Sequence, residues 1–148
     1  TGIRVGYNQG PISVAYANSS TTYAAGNVKS SNIGGAYNFG VARVMAQTTT
    51  DKVGTALEGK GQLMGVTVPM GGGTFKLASS QYETNAAGNP TSKKMAVGYV
   101  LDLSKRTAVY GTYARVTNSG GAAQALGGTT GSANGSSKGT DIGVRHVF

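Results

Sequence analysis

Few side chains in this sequence could do chemistry, and they do not converge. There is one histidine, His146, no cysteine, and five acids: Asp51, Glu58, Glu83, Asp102 and Asp141. Without cysteine there is neither a disulfide framework nor a thiolate metal site. The acids lack the spacing of paired catalytic carboxylates or of metal ligands, and no serine has a base beside it in the sequence. The segment GTALEGKG (54–61) comes within one residue of the phosphate-cradling pattern G-x-x-x-x-G-K-[ST]. Gly61 stands where the magnesium-binding hydroxyl belongs. No buried strand precedes the segment and no helical pattern follows, so no helix terminus is available to hold an anion, and a solvated loop is expected. The residues therefore predict no catalytic group, no metal site, no cofactor and no enzymatic activity.

The basic residues are the chemically active set. Thirteen Lys and Arg give a net charge of +8, which suits nucleic acid, anionic lipid or small anions. Only Lys93–Lys94 and Lys105–Arg106 are adjacent. With neither basic clusters nor a reading helix, nucleic acid is not an expected partner. The rest of the cations stand singly, and the elements that hold them decide what they face.

Those elements read as strands. With 25 Gly, eight Tyr, no Trp and 12% charged residues, the composition is unlike a soluble domain of this length, for which roughly 25% charged residues is typical. No window approaches the ~18 consecutive apolar residues of a membrane-spanning helix. Period-two alternation recurs at 2–7, 11–17, 32–39, 41–48, 62–69, 74–82, 94–101, 107–116 and 140–148. The connections alternate too. NQG, NFG, MGGG and DLSKR are short, whereas 19–31, 50–61, 83–92 and 117–138 are longer and polar. Tidy turns at one end and ragged loops at the other predict an antiparallel transmembrane β-barrel of the outer-membrane type. Tyr7, Tyr82 and Tyr110 lie near strand ends, where an interfacial aromatic girdle would place them. A soluble or surface adhesin-like or lectin-like β-sandwich binding anionic ligands would alternate as well. Its second face would need bulky core residues, and here that face is Ser, Ala, Gly and Lys.

The segments NQGPISVAYANSS, AYNFGVARV, DLSKRTAVYGTYARV and DIGVRHVF resemble the later strands of the trimeric general porins of β-proteobacteria. The resemblance runs over essentially the whole chain and is strongest at 103–111 and 143–148. It implies a sixteen-stranded barrel about twice this length, a homotrimer in the outer membrane in contact with lipid and lipopolysaccharide, and passage of small hydrophilic solutes. It also implies a constriction loop contributed by the first half. Nine strands do not close a single-chain bacterial barrel, whose strand number is even. Unpaired strand edges in lipid cost several kcal/mol per polar group (an order-of-magnitude figure). Residues 1–148 are thus expected to be the C-terminal part of a single barrel domain in a longer chain. The final strand places Ile142, Val144, His146 and Phe148 on one side. This alternation, ending on Phe, resembles the C-terminal signature that the barrel-assembly machinery reads.

In such a barrel, an Arg or Lys at the lipid midplane costs about 2–4 kcal/mol. Arg4 lies between Ile3 and Val5, Lys76 between Phe75 and Leu77, Lys94 before Met95, and Arg145 between Val144 and His146. Their apolar neighbours claim the lipid side, which leaves these cations the lumen. Arg43 and Arg115, in strands with apolar residues on both faces, are grouped with them. Six lumenal cations predict a pore that prefers anions.

Overall fold

The computed structural model describes residues 1–23 and 26–148. It consists of nine strands: β1 (Gly2–Gln9), β2 (Ile12–Tyr23), β3 (Gly26–Asn38), β4 (Arg43–Val53), β5 (Leu57–Met70), β6 (Gly73–Thr84), β7 (Thr91–Asp102), β8 (Thr107–Ser119) and β9 (Ser136–His146). They form one antiparallel meander in which each strand pairs only with its neighbours in the chain. β1 and β9 do not meet among the described residues, so the sheet is open.

Local chemistry explains the path. β5 and β6 are joined by Gly71 and Gly72 alone, with φ of 60° and 79°. A two-residue hairpin whose twist matches its strands needs positive φ at both positions, and glycine reaches it without a Cβ clash. The other turns at this end are also short: two residues between β1 and β2, and four each between β3 and β4 and between β7 and β8.

The opposite end departs from the sequence expectation. Segments 19–31 and 50–61 are largely strand rather than loop. β2 runs to Tyr23 and β3 starts at Gly26; β4 runs to Val53 and β5 starts at Leu57. Polar residues such as Ser19–Thr22 and Thr48–Thr50 continue the backbone ladder beyond the apolar stretch, because Thr and cross-strand hydroxyl pairs suit a pleated surface. Polarity there marks solvent exposure, not loss of structure. Among the described residues, the connections at this end longer than three residues are 85–90 and 120–135.

A single layer has no sandwich core. The buried residues are few: Ala108, Val116 and Asn118, with Gly59 and Gly61. The two glycines are covered by Tyr82, whose ring lies across β5; a Cβ at Gly61 would sit 2.5 Å from Thr49 Cγ2 and 3.1 Å from the Tyr82 ring. Tyr110 covers Gly143 in the same way.

Candidate functional site

Directly opposed residues in antiparallel strands point to the same side, so the register sorts every side chain onto one of two faces. One face carries Ile3, Val5 and Tyr7 on β1, Val14 and Tyr16 on β2, and Ile33 on β3. It continues through Val44, Met64, Val66 and Leu77 to Met95, Val97, Tyr113, Ile142 and Val144. All of them but the half-buried Val66 and Val97 are exposed, among them Ile3 at 63%, Met64 at 63%, Met95 at 60% and Ile142 at 76%. A continuous exposed apolar face spanning nine strands is far beyond what a soluble surface carries, and it suits acyl chains.

The opposite face is mainly small and polar, with Met45, Leu63, Val100 and Val116 among its larger apolar members. One register row reads Arg4, Ala17, Asn32, Thr49, Gly61, Tyr82, Ser92 and Asn118. Another reads Arg43, Thr67, Lys76, Gly98, Thr112 and Asp141. Lys94 lies between Ser80 and Val116, and Arg145 beside Ala108. Five of the six cations singled out in the sequence (Arg4, Arg43, Lys76, Lys94 and Arg145) thus share this face. Arg115 does not. It pairs with Met95 and Lys138 and lies on the side of Tyr113, as its odd-numbered position with Val109 and Tyr113 requires once the β8 register is known. Tyr82 and Tyr110 also leave the expected girdle. They lie on the cationic face, where they cover glycines, while Tyr7, Tyr37 and Tyr99 occupy the apolar one.

Acids share the cationic face: Asp51, Asp102 and Asp141. Asp51 is engaged by hydroxyls. Ser30 Oγ donates to its Oδ1 at 2.6 Å and Tyr82 Oη to its Oδ2 at 3.0 Å. The two ion pairs among the described residues are elsewhere, with Glu58 held between Lys52 at 3.2 Å and Lys60 at 3.1 Å. GTALEGKG, the near-match to a phosphate loop, is the turn into β5 and the start of that strand, with its lysine in the second of these pairs.

Nothing in the composition of residues 120–135 signals what this loop does. It folds back over the cationic face. Asn118, 5% exposed, accepts from Ser92 Oγ at 2.7 Å and from Gln124 N at 3.1 Å. Its Nδ2 donates to Gln124 O at 2.8 Å and Gly135 O at 3.0 Å. Leu126 N donates to Ser137 Oγ at 3.3 Å, and the Leu126 side chain approaches Gly139. Gln124 and Ala125 then roof a groove whose floor includes Gln47, Thr49, Leu63, Ser80, Tyr82 and Lys94. At the far end, Ile142, Val144 and His146 lie on the apolar side. The rings of His146 and Phe148 meet edge-on at 5.0 Å, with Phe148 fully exposed.

Residues 1–121 match the Gram-negative porin family. The chain belongs to that family. The match extends to Outer membrane porin protein 32 of Delftia acidovorans, 32% identical over 97% of this chain and 45% of that protein. The anion-selective porin from Comamonas acidovorans superposes with a TM-score of 0.84 at 32% identity, over 98% of this chain and 48% of the other. The outer-membrane OmpT of Vibrio cholerae shares the fold, at a TM-score of 0.73 and 13% identity over 98% of this chain and 55% of that one. This porin chain spans about half the length of the relatives it matches. Membership places it in the bacterial outer membrane as part of an antiparallel β-barrel. Its open sheet is one stretch of such a wall.

Proposed function

We propose that this porin segment is the C-terminal part of a single barrel in a longer chain. It would wall a water-filled channel through which small hydrophilic solutes and ions diffuse passively, with anions preferred. The observation that carries this reading is the segregation of Arg4, Arg43, Lys76, Lys94 and Arg145 onto the face opposite the lipid-type one. Fixed positive charge in a narrow aqueous bore raises the local concentration of anions and lowers that of cations. The three acids on that face offset the charge in part, and Asp51 is tied to its neighbours' hydroxyls. The name of the Comamonas relative, an anion-selective porin, supports the same sign. Passive diffusion needs no catalytic residue or cofactor, and we read the protein as a channel rather than an enzyme.

The remaining strands, about seven for a sixteen-stranded barrel, would come from the rest of the chain, and the whole would assemble as a homotrimer. Ile142, Val144, His146 and Phe148 would present the C-terminal signature to the assembly machinery. The test is a planar bilayer holding the full-length porin in a potassium chloride gradient. The proposal expects open, ohmic conductance with a reversal potential of the sign set by chloride. Cation preference, or no conductance from correctly folded protein, would refute it.

A further inference from the structure

The groove under the 120–135 loop brings charge and carbon together on the cationic face. One register row crosses its floor as Gln47, Leu63, Ser80, Lys94 and Val116. The next row toward the loop end supplies Thr49, Gly61 and Tyr82. Because Gly59 and Gly61 carry no side chain, the Tyr82 ring lies down on β5 and the wall sinks into a hollow beside it. Ala125 roofs the hollow, placed there by the hydrogen bonds of 2.8 and 3.1 Å that tie the Gln124 backbone to Asn118. The hollow measures about 440 Å³, within the roughly 300–1,000 Å³ usual for small-molecule sites.

Among the described residues Lys94 is the one charged side chain lining this groove, and it is exposed and makes no ion pair. The nearest other cation of the face, Lys76, lies one strand over and four residues along. At ~3.3 Å per residue and ~4.8 Å between strands, that is about 14 Å away. The nearest acid of the face, Asp141, lies two strands over and four residues along, about 16 Å away by the same spacings. A solitary ammonium of this kind takes one anionic group. The wall around it is carbon. Val116 pairs directly with Lys94, Leu63 stands exposed two strands over, and Ala125 and the Tyr82 ring complete the apolar side. Between the row of Lys94 and the row of Lys76 comes one with no polar side chain on β4 to β8: Met45, Gly65, Ala78, Ala96 and Ala114.

We propose that this groove is a binding site for aromatic monocarboxylates of about the size of benzoate. The carboxylate pairs with the Lys94 ammonium, and the hydroxyl of Ser80, the neighbour of Lys94 in the row, serves as a second donor. The ring packs on Leu63 and against Tyr82, where two aromatic rings gain from offset stacking. Chloride gains nothing from covering Leu63, Tyr82 and Ala125, whereas an anion with an apolar body removes that surface from water. The single cation selects a monoanion, the carbon beside it selects an organic one, and Tyr82 favours an aromatic one. The assignment names a solute class for the anion-preferring channel and rests on that reading.

The test is a planar bilayer holding the full-length porin in potassium chloride, with sodium benzoate, sodium acetate or neutral benzamide added in turn. A solute that dwells in the groove narrows the bore and lowers the chloride current. In wild type, benzoate is expected to reach its half-maximal effect at a concentration at least tenfold below that of acetate, and benzamide at that concentration to do nothing. Lys94→Gln should raise the benzoate value at least fivefold. Leu63→Ser should raise it at least threefold and leave the acetate value unchanged. Arg43→Gln with Lys76→Gln should shift both values alike, keeping their ratio within twofold of wild type. Should Leu63→Ser fail to fold, Ala125→Glu, which sets a carboxylate in the roof, is expected to raise the benzoate value at least threefold. Equal action of acetate or benzamide, an unmoved benzoate value in the Lys94, Leu63 or Ala125 variants, or collapse of the ratio in the Arg43 and Lys76 pair would overturn the groove in a pore that still prefers chloride. Cation preference of wild type in potassium chloride alone would fail the channel reading, and the groove with it.

Discussion

Lys76 and Arg115 are both strand cations with apolar neighbours in sequence, yet the register puts them on opposite sides of the wall. Reversing each to Glu should therefore have unequal consequences. An ion passing about 7 Å from Lys76 feels about 0.6 kcal/mol from a unit charge in water, which screening in 0.1 M salt reduces to about 0.3 kcal/mol. Lys76→Glu changes the charge by two units and acts oppositely on anions and cations. The anion-to-cation occupancy ratio should then fall by about 1.2 kcal/mol, or roughly eightfold. Arg115, behind the wall and about 20 Å from the same ion, lies two Debye lengths away and contributes less than about 0.05 kcal/mol per unit charge. Arg115→Glu should leave the ratio within about 1.3-fold of wild type. Reversal potentials of the two variants, measured in one potassium chloride gradient, give the comparison. Equal shifts, or a shift for Arg115→Glu alone, would refute the face assignment.

Other outcomes follow from particular contacts. Asn118→Ala removes the side chain that clamps the 120–135 loop to β8; at about 1 kcal/mol per hydrogen bond the loop should detach. Protease nicking within 120–135 and a larger single-channel conductance would show it, while unchanged nicking would mean that the clamp is not needed. Gly61→Val drives a side chain into Thr49 and the Tyr82 ring. It should destabilise the barrel by about 1–3 kcal/mol, read as a lower temperature at which the folded band on an unheated gel disappears. Gly111→Ala, where a Cβ would meet nothing within 4 Å, is the control and should leave that temperature unchanged. Removing Phe148 should reduce the folded yield in cells while leaving the conductance of the protein that does fold unaltered.

Much of this wall was legible in the residues because the period of a strand is two. Once Ile3 and Val5 are assigned to lipid, Arg4 has no other side to take, and the same holds for Lys76 and Arg145. Parity also contained the answer for Tyr82 and Arg115, but nearness to a strand end suggested a girdle for the first. For the second, Val116 beside it made both faces of β8 look apolar. The register across β7 to β9 removes that ambiguity. Val116 is apolar for another reason: the returning loop buries it to 4% exposure. That return could not be read from Gly, Ser, Thr and Asn alone, since its anchors join Asn118 to residues six and seventeen positions away. The extent of β2 to β5 was missed because hydroxyl-rich strand and loop have the same composition, and only the pairing partner distinguishes them.

Residues 1–148 hold no cysteine, so a single cysteine introduced into this stretch of the wall is the one thiol within it. The most direct measurement is labelling by a water-soluble, lipid-impermeant thiol reagent in reconstituted membranes. Ser80, Ala96 and Thr112 on the cationic face would be compared with Val14, Leu77 and Val97 on the apolar one. Cysteines at the first three positions should react, and those at the last three should stay protected until detergent is added. Protection of Ser80, Ala96 and Thr112 with reaction at Val14, Leu77 and Val97 would contradict a wall with water on its cationic side.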